Sequence, residues 1–514
     1  VIRLFVNGTV LTMDPRQPLA QGLAVRDGRI LAVDTTDELL QYPEDDSEVV
    51  DLGGRTVIPG FVDPHHHFSI GALEVFFADC RDVSDISEVQ ARLRRAAGST
   101  PAGAWVRGWG YDHHAFPGRR HPTRQDLDEA VPDRPALLMH YSHHQAVVNT
   151  AALRVCGIDA ATADPAGGEI ARDRGGEPAG LLFERAMSMA EARSREYWED
   201  RFGEVAGPAS VRCAAQGITA LEDAAVTPAM ARRYAEARGA GALAIHVGEM
   251  MVGSRGWFEP PDDPAAGATL KLFVDGGYRC ALRLQRAGRE VTSGVLFYHR
   301  PDLADRLVRA WRQGWRVTCH AIGNVGVETA VGAIEDALRL EPSGRGRVRI
   351  DHAMFLTPDL IARLADLGVW VVTQPSFLYD AGGASIQHGL RFRPFGTLER
   401  AGVHQAFSSD YPCGSLAPLA GIYAAVARRT RTGEVVDPDE AVGIRAALEA
   451  YTIRAARAAG IDRERGSLEP SKIADFLMLS SNPLDCRPED LGAVRVLETW
   501  AGGARIAPNL ADPP

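Results

Sequence analysis

Three consecutive histidines close the stretch VIPGFVDPHHHF, Val57 to Phe68. The run Val57, Ile58, Phe61, Val62 is short, β-branched and uncharged, and Pro59-Gly60 interrupts it, which predicts a buried strand rather than a helix. Side chains alternate faces along a strand. His65 and His67 therefore share a face with Asp63, about 6.6 Å apart at ~3.3 Å per residue, while His66 points away. Two imidazoles on a buried strand each need a partner for their ring nitrogens, and a cation supplies one to both. The competing reading is a polar strand end in contact with water.

Further donors depend on the elements that carry them. β-like runs recur along the chain: TVIPGFVD, ITALEDA (218–224), LAIHVG (243–248), LKLFVDG (270–276), WRVTCHAIG (315–323), VRIDHA (348–353), VWVVTQPS (369–376) and HQAFSSD (404–410). Amphipathic helical segments such as RLVRAWRQG (306–314) and VETAVGAIEDALRL (327–340) separate several of them. Eight βα units imply an α/β fold, a (β/α)8 TIM-like barrel, with its site at the C-terminal strand ends. There the first strand offers His65 and His67, the fifth His320, the sixth His352 and the eighth Asp410. Lys271 sits early in the fourth run and fits least well. Alone, His320 or His352 reads as a hydrogen-bonded structural histidine and Lys271 as a snorkelling rim lysine. Together, four imidazoles and a carboxylate suit Zn2+ and, less selectively, Mn2+, Fe2+ or Co2+.

The first 55 residues alternate short apolar runs with the dipeptides Asn7-Gly8 and Asp27-Gly28, each of which predicts a hairpin turn, and the last 40 or so repeat the style around Gly502-Gly503. This predicts that the termini pair, residues 1–55 and 461–514 forming one small β-sandwich domain around a barrel of 56–460. The stretch of about 69–210 is too long for a crossover and reads as an inserted subdomain over the barrel mouth, with a hairpin turn at Arg174-Gly175-Gly176.

Composition narrows the partners. The 514 residues are 45% hydrophobic and 24% charged, enough for a large core. With 56 Lys and Arg against 67 Asp and Glu, the net charge of −11 disfavours nucleic acid or an anionic membrane. No apolar segment approaches the ~20 residues of a membrane span. The start VIRLFVNGTV lacks the basic and apolar regions of a secretory signal, so the cytoplasm is the expected compartment. Seven scattered cysteines without a CxxC indicate neither a disulfide framework nor an all-cysteine zinc site.

The chain resembles the amidohydrolase superfamily, specifically the YtcJ-like branch (amidohydrolase family 3), which includes N-substituted formamide deformylases. The motifs span nearly the whole chain: PGFVDPHHH (59–67), GRRHPTRQDLDEAVPDRPALL (118–138), HQAVVNTAAL (144–153), GGEIARDRGGEPAGLLFE (167–184), LKLFVDG, CHAIGN (319–324), IDHA, FSSDYP (407–412) and GSLEPSKIADFLML (466–479). The resemblance implies that His65, His67 and Asp410 hold one divalent metal, zinc by donor type, and His320 and His352 a second. It implies that Lys271, as a CO2-derived carbamate, bridges them; as a plain amine it leaves one ion. Asn324, where the family often has Asp, Ser471 in place of glycine, and Tyr411-Pro412-Cys413 depart from the pattern and bear on the substrate more than on the metal.

Such a ligand set activates water as a hydroxide and polarises a carbonyl. Asp410 can accept the water's proton and deliver it to a leaving nitrogen. The expected reaction is hydrolysis of a C–N bond, amide, formamide or cyclic amide, in a small molecule, by an enzyme that needs no nucleic acid or membrane and is compatible with a homodimer. Trp109, Tyr111, His144, Glu184, Phe377 and Tyr379 are the candidate substrate-lining residues; His144 and Glu184 match family positions. Packing under the insertion is the alternative for the aromatic residues, and a helix start for Glu184. His113, His114 and His121 read as solvated, and Arg391 and Arg393 either grip a substrate carboxylate or face water. The same site could instead run deamination, or lyase or isomerase chemistry. A silent binding protein would need a lost ligand, and none is missing.

Overall fold

Period-two alternation on eight parallel strands organises the middle of the chain. The structure, a computed structural model, describes residues 1–43, 47–253, 267–277, 279–286, 289–382, 386–387 and 389–508. The strands are β1 (Phe61–His66), β2 (Ile218–Val226), β3 (His246–Val252), β4 (Thr269–Phe273), β5 (Arg316–Ala321), β6 (Val348–His352), β7 (Trp370–Thr373) and β8 (Gln405–Phe407). Each pairs in parallel with the next in chain order. The chain leaving β8 returns to β1: Asp410 N donates to His65 O at 2.9 Å and His67 N to Tyr411 O at 2.8 Å. The sheet is thus nearly closed as a barrel.

Leu270, Leu272, Val317, Cys319 and Ile350 pack with Leu303, Leu307, Ile334 and Leu364 of the surrounding helices. The alternate residues Lys271, His320 and Asp351 consequently face inward. The helix Pro358–Leu367 shows why these segments are helical. Thr357 caps it by accepting from Leu360 N, Pro358 occupies its first turn, and Gly368 ends it at φ 63. Its buried residues Leu360, Ile361 and Leu364 form one apolar stripe against the sheet.

Both ends of the chain meet in one six-stranded sheet ordered Ala504–Pro508, Val496–Ala501, Phe476–Leu479, Thr56–Pro59, Thr9–Leu11, Leu19–Ala20. A four-stranded sheet, ordered Arg29–Asp34, Gly22–Arg26, Ile2–Val6, Ser47–Asp51, lies beside it. Phe5 joins them, its ring centroid 5.0 Å from those of both Phe476 and Trp500. Asp27-Gly28 and Gly502-Gly503 turn hairpins. Asn7-Gly8 does not: it carries the chain from the four-stranded sheet to the six-stranded one. The run TVIPGFVD is likewise two strands of two sheets, divided at Gly60. Glycine is required there, because a Cβ would stand 2.1 Å from Thr219 Oγ1.

Between β1 and β2 the chain builds a further sheet, ordered Gly168–Arg172, Pro178–Glu184, Gln145–Val148, Ala136–His140, Val106–Tyr111, Ala78–Asp79. The turn at Arg174-Gly175-Gly176 joins its first two strands. Among the described residues no helix is long and apolar enough to cross a membrane.

Candidate metal centre

His65 lies on β1, His67 caps the helix Phe68–Leu73 that follows, and Asp410 lies three residues past β8. Closure of the barrel therefore puts residues far apart in sequence side by side. Asp410 Oδ1 is 3.4 Å from His65 Nε2 and 3.1 Å from His67 Nε2, and one donor atom from each of the three lies within 4.8 Å of the others. His352 Nδ1 is 3.8 Å from Asp410 Oδ2. The His65 and His352 rings are 4.8 Å apart and the His352 and His320 rings 4.4 Å. His352 and Asp410 both take positive φ, 79° and 53°, a backbone conformation that costs energy outside glycine and clusters at functional sites.

The electrostatics leave these groups able to act as ligands. Burial drives His320 well below its ordinary range, and burial with His65 takes His352 down to about 3, so both rings are neutral. Burial alone would raise Asp410, but His65 and His67 hold it well below the usual carboxylate range. His320 Nε2, His352 Nε2 and His67 Nδ1 are buried and make no hydrogen bond. Buried polar atoms are rarely left so. The lowered imidazoles of His320, His352 and His67 and the ionised Asp410 are donors of the kind a divalent ion of the zinc type takes, and a bound cation would displace the proton that the neighbouring carboxylates favour on His65; the residues fit such an ion.

One site residue escapes the sequence reading. Asp351 Oδ2 is 2.6 Å from His65 Nδ1 and accepts from Lys271 Nζ at 2.9 Å. Arg349, Lys271 and His65 overcome the burial that would otherwise raise it and hold it well below the usual range. Its signal was present in IDHA, where it precedes His352 and alternates inward. Lys271 is not at an early, peripheral position: it is the middle residue of β4, fully buried, with Nζ 3.4 Å from His65 Nδ1. Arg349 Nη1 closes the inner network on Glu222 Oε2 at 2.6 Å.

His144 and Glu184 reach this centre from the insertion. His144 Nδ1 is 2.9 Å from Glu184 Oε2, and the His144 ring is 5.6 Å from that of His320. Gly277 N lies 3.2 Å from both His144 Nδ1 and Glu184 Oε1, and a Cβ on Gly277 would overlap the imidazole at 2.0 Å. Phe377 and Tyr379 ride on the helix Pro375–Ala381, directly after Gln374, whose Oε1 is 2.9 Å from His352 Nδ1. Phe377 is partly exposed, whereas Tyr379 packs against the main core. Trp109 and Tyr111 are not brought to the candidate ligands. Trp109 packs with Leu137, Met139 and Val148 beneath Arg81, and Tyr111 stacks on Phe116 with its hydroxyl 3.0 Å from His121 Nδ1. Each faces a cluster of the insertion's own core, Trp109 one and Tyr111 another, because a register shift between them interrupts the alternation of Val106–Tyr111.

The expectation of solvated histidines in the same loop is corrected for His113, which is buried, stacks on His121 at 3.7 Å and lies 3.3 Å from His140 Nε2. His114 is exposed.

A family model described as the amidohydrolase family matches residues 48–507. N-substituted formamide deformylase of Arthrobacter pascens is 33% identical over 97% of both chains. Putative amidohydrolase YtcJ of Bacillus subtilis is 28% identical over 97% of this chain and 98% of its own. Among solved structures, an uncharacterized metal-dependent hydrolase from Pyrococcus furiosus superposes with a TM-score of 0.72 at 26% identity, covering 94% of this chain and all of the other.

Proposed function

The chain belongs to the amidohydrolase family, and from that premise we propose that it hydrolyses the C–N bond of a small-molecule amide, formamide or cyclic amide, with Asp410 carrying the proton. The observation behind this reading is the convergence of neutral His320 and His352 and ionised Asp410, their buried donor atoms unsatisfied, on the place that His65 and His67 also face. A divalent ion held by these five residues, zinc by donor type, supplies Lewis acidity toward a carbonyl oxygen and acidifies water. Asp410, ionised at the outset, accepts the proton of the attacking water and passes it to the departing nitrogen, which leaves poorly until protonated. Asp351 orients His65 from behind. As an ammonium paired with Asp351, Lys271 is no ligand, which favours one ion; a second requires Lys271 as a carbamate. The His144–Glu184 pair and Phe377 line the mouth for substrate. In this reading residues 56–460 form the catalytic unit, 69–210 its cover, and 1–55 with 461–514 a separate β-rich domain.

The name of the Arthrobacter relative makes N-substituted formamides the first substrates to assay. Zinc-loaded protein is incubated with N-substituted formamides, N-acyl amino acids and lactams, and formate, free amine and ammonia are measured. Release of formate or acid with a free amine supports the reading. Ammonia release from a ring substrate transfers the site to deamination, and inertness toward every amide class overturns the proposal.

A further inference from the structure

Two arginines, two residues apart in the loop after β7, have opposite surroundings. Arg391 Nη1 is 3.0 Å from Glu440 Oε1 and 3.3 Å from Thr397 Oγ1, so its charge is met within the protein. Arg393 Nε and Nη1 are buried and donate to no acceptor, although a guanidinium carries five N–H donors. The titratable groups facing Arg393 are a second cation, Arg428, and the phenol of Tyr141; among the described residues no carboxylate does. Phe392 braces the guanidinium, its ring centroid 4.2 Å from Arg393 Cζ.

The location ties this charge to the metal-ligand cluster. Arg393 N donates to Met354 O at 2.9 Å, and Met354 follows His352 by two residues, at most about 7 Å of chain. The strand Leu390–Phe392 pairs with Phe355–Leu356 on the segment leaving β6. Tyr141 lies on the turn of the insertion between Ala136–His140 and Gln145–Val148 that also delivers His144 to His320. Arg393 thus stands on the C-terminal rim, between the insertion and the strand that carries His352.

A partly buried cation with two buried, unpaired nitrogens and no counter-charge opposes folding unless a ligand supplies one. We propose that Arg393 anchors a carboxylate of the substrate, so that the amide cleaved belongs to an acidic molecule such as an N-formyl or N-acyl amino acid. This rests on the amide-hydrolysis reading for the bond, but not for the anchor. Arginine suits the role because its planar fork pairs with carboxylates and its charge persists when desolvated.

The test has two arms, each run on metal-loaded wild type, Arg393→Gln, Arg393→Lys and Arg391→Gln. Calorimetric binding of glutarate, which has no bond to cleave, should weaken about 10- to 100-fold in Arg393→Gln, less in Arg393→Lys, and not in Arg391→Gln. The ratio of kcat/KM for an N-formyl amino acid to that for its neutral methyl ester should fall by a similar factor in Arg393→Gln. Glutarate binding that depends on Arg393 without hydrolysis of any amide leaves the anchor standing and removes the reaction. Hydrolysis with glutarate binding and a substrate ratio both indifferent to Arg393 overturns the anchor. Inorganic phosphate competing more strongly than glutarate overturns the carboxylate class. Unfolding adds an independent readout: Arg393→Met should melt above wild type in the absence of ligand, and a lower melting temperature makes Arg393 structural and overturns the proposal.

Discussion

Asp351 grips His65 from behind: its Oδ2 is 2.6 Å from His65 Nδ1, while His65 Nε2 is turned toward Asp410 Oδ1 at 3.4 Å. A carboxylate on one ring nitrogen fixes the tautomer and leaves the other nitrogen's lone pair for a cation. Asp351→Asn should therefore lower metal affinity about 10- to 100-fold with the fold intact. Chelator competition followed by circular dichroism measures both. Wild-type affinity in the variant would mean that the carboxylate does not act through His65.

Asp410 is a different case, because in the proposed mechanism it carries the proton. Asp410→Asn preserves the shape and an oxygen donor but removes the base. Turnover should fall about 10²- to 10⁴-fold, with at least one equivalent of metal retained by elemental analysis. A near-normal rate would take Asp410 out of the proton path.

Lys271 and Asp351 form a buried ion pair at 2.9 Å, so removing the ammonium leaves Asp351 with less compensation. Lys271→Ala should destabilise the protein by about 3–5 kcal/mol whatever the metal count, read by urea unfolding. Metal stoichiometry then separates the two roles: a fall from two ions to one marks a carbamate bridge, and a constant single ion marks a structural lysine.

Most of the candidate ligand set was legible because it lies at strand ends, where alternation and the βα rhythm project each residue to one rim. His65, His67, His320, His352 and Asp410 all follow from that rule. Asp351 was missed because its importance comes from three partners, His65, Lys271 and Arg349, that share no sequence neighbourhood with one another. Trp109 and Tyr111 show the converse error. Aromatic content in an inserted segment does not say which face is turned to the mouth, and their strand belongs to a sheet with its own core. Asn7-Gly8 failed as a hairpin because a tight turn between two strands can also hand the chain from one sheet to another. The contrast between Arg391 and Arg393 was open in sequence, since Glu440, which decides it, lies far along the chain.

Removal of the metal should be felt in stability as well as rate. His320 Nε2 and His352 Nε2 are buried without hydrogen bonds, and an ion bound only by the folded state stabilises it by about 4 kcal/mol at a thousandfold excess over its Kd. Exhaustive chelation should lower the melting temperature by several degrees and abolish turnover, and zinc should restore both. A melting temperature that ignores chelator would mean these imidazoles are packed without an ion.

The histidines of the insertion carry a pH signature of their own. Burial first, then His113 and His121, hold His140 down to about 2, whereas a histidine in the unfolded chain titrates near 6.5. The folded value is depressed, so on acidification the unfolded state takes up the proton first. The contribution of His140 to stability is therefore whole above about pH 6.5 and is lost as the pH falls toward 2, at ~1.4 kcal/mol per unit. By pH 5 the loss from this one ring is about 2 kcal/mol. Urea unfolding of wild type and His140→Gln at pH 7 and pH 5 isolates it, because the other histidines are common to both proteins. The variant should be less sensitive to acid by about that amount. Equal sensitivity would show that His140 protonates freely in the folded state, which a ring with no exposed surface, wedged between His113 and Tyr111, should not do.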